Sequence, residues 1–294
     1  MKASSGIWRR LEPYLYLLPT IVGLLVFSAG AVAASLFLSF TQWDIVSPPD
    51  WIGLGNYVGL WQSALFWDVV RNTVLFVVMA VPLSVVCSLA LALLVHAPLR
   101  GIHLFRTAYF LPVVSSMIAV ALVWSWVFNP EYGLLNYLLH AAFGVTGPAW
   151  LDDSTWALPA MVLVTVWKGL GYSMVIFLAG LQNIPQDLYD AATIDGAGAW
   201  KKFRGVTLAM LSPTTFFVIV ITLINAFQVF EQTYVLTRGG PANATLTLSY
   251  YIYQNAFQFF QMGKAAALSY VLFACVFVVT LVQFRIQKRW VFYG

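Results

Sequence analysis

Six stretches of about 20 or more consecutive, largely apolar residues constrain this chain more than any other feature of its sequence. They run from Tyr14 to Phe40, Asn72 to Val95, Ala108 to Phe128, Trp156 to Leu181, Val206 to Phe230 and Ala265 to Phe284. A backbone inside hydrocarbon must satisfy its polar groups within the segment, so each stretch is predicted to be one membrane-spanning helix. Pro112 and Pro159 lie near the ends of the third and fourth stretches, where a missing amide donor does least harm. Charged residues make up 9% of the chain, against about 25% for soluble domains. That is too few to cover a water-facing surface. The abundance of Leu, Val, Phe and Trp excludes disorder, collagen and a simple coiled coil. The fold class expected is an all-α membrane protein of six transmembrane helices, a single domain over residues 1–294.

Orientation follows from the basic residues. With the N-terminus cytoplasmic, Lys2, Arg9, Arg10, Arg100, Arg106, Lys201, Lys202, Arg204, Arg285, Lys288 and Arg289 lie inside. Arg71, Arg238 and Lys264 lie outside, and Lys168 falls within a span. The positive-inside rule therefore places both termini in the cytoplasm. Asp44, Asp50, Asp68, Glu131, Asp152, Asp153 and Glu231 are then external. The net charge of +4 reads as loop charge of this kind, and no nucleic-acid partner is expected. Ala31-Val32-Ala33 resembles a signal-peptide cleavage site, but the apolar run continues past it to Phe40, so the segment is read as uncleaved.

The external segment Thr41–Arg71 carries Trp43, Trp51, Trp61 and Trp67 and is expected at the membrane interface. Asn129-Pro130-Glu131-Tyr132-Gly133 and Arg238-Gly239-Gly240-Pro241 are turn-like. Cys87 and Cys275 sit in apolar runs and read as small core residues. His96, His103 and His140 stand near span ends without metal-ligand spacing, so no metal is expected.

The cytoplasmic loop 182–205 is different. Pro185 suits a first helical position, and Asp187 and Asp190 suit the positive end of a helix dipole. A helix is predicted to about Ile194, stopping at Asp195-Gly196, with a second short helix from Ala199 leading into the fifth span. Lys201, Lys202 and Arg204 lie where anionic inner-leaflet lipid would hold them. The alanine face is small enough to enter a partner's groove, whereas periodicity alone favours an ordinary amphipathic connector.

This loop resembles the signature of permease subunits of bacterial ABC importers. Asp190-Ala191-Ala192, two residues, then Asp195-Gly196-Ala197 match it with Asp190 in place of the usual Glu, and Phe203 matches the later Phe. The family's Leu-Pro pair falls at Leu208-Ala209, so its proline is missing there, and Pro213 follows a turn later. Arg106-Thr107-Ala108-Tyr109-Phe110-Leu111-Pro112 is similar to carbohydrate permeases of the maltose and glycerol-phosphate type. So are Trp124 to Pro130, Gly133 to Asn136, Trp167-Lys168-Gly169-Leu170-Gly171-Tyr172 and Tyr234 to Pro241.

The resemblance implies a non-catalytic subunit in the bacterial cytoplasmic (inner) membrane. A second permease subunit forms the other half of the pathway, two ATPase subunits supply the energy and an extracytoplasmic solute-binding protein delivers the substrate. Asp190, Ala191, Ala192, Asp195, Gly196, Ala197 and Phe203 would couple to the ATPase. This chain has no GxxxxGK[ST] phosphate loop and is expected to bind no cofactor, ATP and Mg being used by the ATPase. By resemblance, Thr165, Lys168, Gly169 and Tyr172 on the fourth span are candidates to line the substrate pathway. Ala226 and Val229 cannot supply the asparagine contacts of maltose-type permeases, and Asn225 and Gln228, three apart on one helical face, are the substitutes. Lys168, the one basic residue inside a span, should face protein or water. It either lines the pathway, donating hydrogen bonds to ligand or to carbonyls, or it snorkels or holds a structural ion pair, such as one with Glu231. The function expected is half of the pathway of an ATP-driven sugar importer. A self-contained secondary transporter or channel is the other class, although neither repeated halves nor intramembrane coupling acids are apparent.

Overall fold

The structure, a computed structural model, describes residues 5–96 and 101–292, the side chains of 5–12 and His103 excepted. Lys2 and Arg100, and the side chains of Arg9, Arg10 and His103, therefore lie outside the described residues. The chain divides into two compact units, residues 1–62 with 252–271, and residues 63–251 with 272–294.

In the first unit, the helix from Pro13 to Ser39 is long and apolar enough to cross a membrane. It exposes apolar side chains on all sides (Phe27 is 82% exposed), as a lipid-facing helix does. The chain then forms a two-residue strand, Thr41–Gln42, paired antiparallel with Asp50–Trp51, Thr41 opposite Trp51. Asn56 Nδ2 donates to the carbonyls of Ser39 at 2.9 Å and Thr41 at 2.8 Å, fixing the exit from the helix. Gly263 sits where a Cβ would strike the Thr41 carbonyl. Tyr270, on the helix that begins at Met262, donates to the Val32 carbonyl at 2.6 Å.

The second unit is built on the helices Ala64–His96 and Ala157–Gln182, with Ser212–Phe227 packed against both. Phe76, Val77, Met161, Val162, Leu223 and Phe227 form one buried cluster; Met174, Phe177, Leu211 and Val218 belong to another. The approach is close: a Cβ on Gly180 would lie 2.7 Å from Thr214 Oγ1. The 233–248 loop is clamped to the same body. Asn72 Nδ2 donates to the carbonyls of Asn243 at 2.7 Å and Leu246 at 3.3 Å, and the Leu248 amide donates to buried Thr73 Oγ1 at 2.9 Å.

Among the described residues, four helices are long and apolar enough to cross a membrane, or up to six if each of two bent pairs counts as one span. The third predicted span is not one helix. It breaks between Leu104–Val114 and Met117–Val127, which meet at 101°. Ser115 and Ser116 are extended, with ψ of 145° and 132°, and the Ser115 hydroxyl donates to the Leu111 carbonyl at 3.1 Å in place of a helical amide. The fifth also breaks, at Leu211, between Ala199–Met210 and Ser212–Phe227, which meet at 62°. Pro213 stands in the first turn of the second piece, where its ring suits a helix start and opposes continuation of the preceding one. That helix ends at Phe227 rather than Phe230. The Thr41–Arg71 segment is not all loop: Gly55–Gln62 is helical and the second long helix already begins at Ala64.

Candidate functional site

Two regions gather the residues singled out in the sequence. In the 182–205 loop, Gln186–Ile194 is helical, and Pro185 occupies the flanking N-cap position (φ −60°, ψ 134°) rather than the first helical one. Asp187 lies in the first turn, at the positive end of the dipole. The helix stops as the Asp195-Gly196 pair implies. Gly196 adopts φ +71°, its amide donates to the Thr193 carbonyl at 3.0 Å, and the Ala197 amide donates to Ala192 at 2.8 Å. This is a Schellman termination, which needs a residue free to take a left-handed conformation. A second helix starts at Ala199 and runs through a π-type turn, Phe203–Thr207, to Met210.

Asp190, Ala191, Asp195 and Gly196 are exposed, while Ala192, Ala197 and Phe203 are half-buried. Sequence reasoning missed the residues that stiffen and expose this elbow. The Tyr189 hydroxyl lies 2.9 Å from Thr207 Oγ1 and ties its two arms together. Ile194 and Trp200 are 88% and 70% exposed, so the elbow presents two large apolar side chains on its surface.

The second region is a cavity of about 450 Å³ within the larger unit. Thr165, Lys168, Gly169 and Tyr172, spaced three and four apart on the Ala157–Gln182 helix, line one wall. Asn225, near the end of the Ser212–Phe227 helix, and Gln228, just past it, line another. All six predicted pathway residues meet at this one cavity. Gly169 faces open space, with no heavy atom within 4 Å of where a Cβ would stand. The Thr165 hydroxyl is turned to the Met161 carbonyl at 2.8 Å. Lys168 Nζ donates to the Val113 carbonyl at 3.3 Å, so its partner is a main-chain oxygen and not Glu231. Ala226 and Val229 are 3% and 4% exposed and belong chiefly to the core. Glu231, Gln232, Ser84 and Thr222 also line the cavity and were not foreseen there. Among the described residues, no group of three or more His, Cys, Asp or Glu is placed to hold a metal ion.

A family model for the inner membrane component of binding-protein-dependent transport systems matches residues 52–291. The chain belongs to this family. It is 37% identical over 298 aligned residues to the probable ABC transporter permease protein YesP of Bacillus subtilis, covering 100% of this chain and 96% of that protein. It is 38% identical to the lactose transport system permease protein LacF of Rhizobium radiobacter, over 94% of each chain. Its fold superposes with a TM-score of 0.84, at 25% identity over 96% of this chain and 98% of the other, on a chain of a bacterial ABC transporter involved in the import of the acidic polysaccharide alginate. The protein is thus a non-catalytic, multi-pass permease subunit of a binding-protein-dependent ABC importer of the bacterial inner membrane. Its ATPase is a separate subunit, and its partners include a solute-binding protein.

Proposed function

We propose that the chain forms half of the translocation pathway for a sugar or sugar-like solute, with the Thr165–Tyr172 and Asn225–Gln228 walls facing that solute. The supporting observation is the convergence of all six residues on one cavity that presents hydroxyl and carboxamide groups beside an apolar core. Identity to a lactose permease over nearly its whole length favours the same class. On this reading the two bent pairs each count as one span, giving six, and both termini are cytoplasmic. A second permease completes the pathway, and two ATPase subunits hold the ATP and Mg. This chain itself holds no cofactor.

The 182–205 elbow is the contact with the ATPase. Asp190, Ala191, Ala192, Asp195, Gly196, Ala197 and Phe203 form or shape the docking surface, and exposed Ile194 and Trp200 add apolar area to it. A short helix locked by its Schellman end and by the Tyr189–Thr207 contact transmits displacement as a rigid body. Alternating access needs such a rigid link to a bistable packed bundle. The substrate wall is tested with Lys168→Met in the assembled importer reconstituted in liposomes. Altered uptake kinetics with intact assembly are expected; unchanged kinetics would make Lys168 purely structural.

A further inference from the structure

The cavity carries one formal charge of each sign. Lys168 brings the one formal positive charge among its lining residues and Glu231 the one negative charge. The ammonium is already engaged. Val113 is the penultimate residue of the Ile102–Val114 helix, where the chain turns away through extended Ser115. The last carbonyls of a helix lack intrahelical donors and carry about half a negative charge between them. Lys168 donates to one of these, so the helix end offsets part of the cation's charge within the cavity wall. The ammonium keeps further N–H donors, but an anionic solute would meet it with part of its charge already offset by the helix end, and would meet Glu231 in the same cavity. The other polar lining groups include Tyr172, Asn225, Gln228 and Gln232, which both donate and accept hydrogen bonds. Each hydroxyl of an uncharged sugar does the same.

We propose that this half-pathway selects an uncharged, polyhydroxylated solute, a neutral sugar or glycoside, and discriminates against acidic sugars and phosphate esters. Glu231 is the discriminating residue, and Lys168 is the partner of the helix end rather than an anion receptor. The proposal rests on reading the cavity as the pathway. It separates this chain from the acidic cargo of its alginate-importing structural relative despite the shared fold.

The test is equilibrium binding of lactose, maltotriose, sn-glycerol-3-phosphate and an alginate trisaccharide to the purified permease–ATPase complex, followed by saturation-transfer NMR. Wild type is expected to bind a neutral probe and exclude both anions. Glu231→Gln, isosteric and at an exposed position, should raise anion binding relative to neutral binding at least ten-fold, and Lys168→Met should deepen the exclusion. Anion binding by wild type equal to that of the neutral probes overturns the proposal and leaves the pathway reading standing. So does an anion-to-neutral ratio that Glu231→Gln does not move. If no probe binds the wild type or either variant, the pathway reading itself is overturned, and the selectivity proposal with it.

Discussion

The broken third span is held by a contact that one methyl group should destroy. At Gly171, in the Ala157–Gln182 helix, a Cβ would strike the Tyr109 carbonyl and lie 2.8 Å from Phe110 Cα. Both obstacles are main chain, so relief requires the Ile102–Val114 helix to move as a body. Replacing Gly by Ala inside a helix ordinarily gains about 1 kcal/mol. Overpacking of a filled contact costs about 1–3 kcal/mol, and displacing the half-helix endangers the Lys168–Val113 hydrogen bond, worth roughly another 1 kcal/mol. The net expectation for Gly171→Ala is a loss of about 1–3 kcal/mol. Gly169, two residues earlier, is the control, because nothing stands within 4 Å of its Cβ position. Gly169→Ala should be neutral or gain about 0.5–1 kcal/mol. Thermal unfolding of the two variants in the detergent-purified importer measures the difference. Equal midpoints would refute the close approach of the two helices.

Other expectations concern the loops. Gly196→Pro, or a bulky residue at Ala192, should leave membrane insertion intact but uncouple ATP hydrolysis from uptake; undiminished uptake by such a variant in proteoliposomes would count against the elbow's role. Asn72→Ala removes the donor to the exposed Asn243 carbonyl and the Leu246 carbonyl, at a cost of about 0.5–1.5 kcal/mol, and should speed proteolysis within residues 238–246 without abolishing assembly. The Ser47 hydroxyl and amide donate to Asp44 Oδ1 at 2.6 Å and 2.8 Å, the hydroxyl foremost in holding that carboxyl below its usual range. A depressed carboxyl favours the folded turn above its ordinary pKa and loses that contribution as pH falls through the lowered value. Protection of the Ser47 amide, measured relative to its intrinsic exchange rate at each pH, should therefore fall only in acid, and Ser47→Ala should shift that onset upward.

The apolar stretches were legible because burial in lipid is written directly into composition. Their breaks were not. Ser115-Ser116 sits between apolar runs without a glycine, and Pro213 stood out only as a proline displaced from its motif, not as the start of a new helix. The four cavity residues of the fourth span were named from the resemblance to carbohydrate permeases, and their spacing of three and four is what lets one helical face carry them all. Glu231 was seen only as a potential ion-pair partner of Lys168, because the fifth span was extended to Phe230, placing the acid at the mouth of a helix that in fact ends at Phe227. A carbonyl was foreseen as a partner of Lys168, but not which one, for a related reason: the Val113 carbonyl becomes available only where the third span breaks. In the 182–205 loop, the Asp195-Gly196 stop was legible from local chemistry, while the Tyr189–Thr207 contact joins residues 18 apart that no local rule pairs.

The most direct measurement places a cysteine at Ala192 in the otherwise intact importer and applies a short thiol crosslinker from the cytoplasmic side. A covalent adduct with the ATPase subunit, whose yield changes between nucleotide-free and ATP-bound states, is expected. Labelling of that cysteine by an impermeant reagent added to the outer face, with no adduct to the ATPase in either state, would contradict the elbow as the point where the motor grips this bundle.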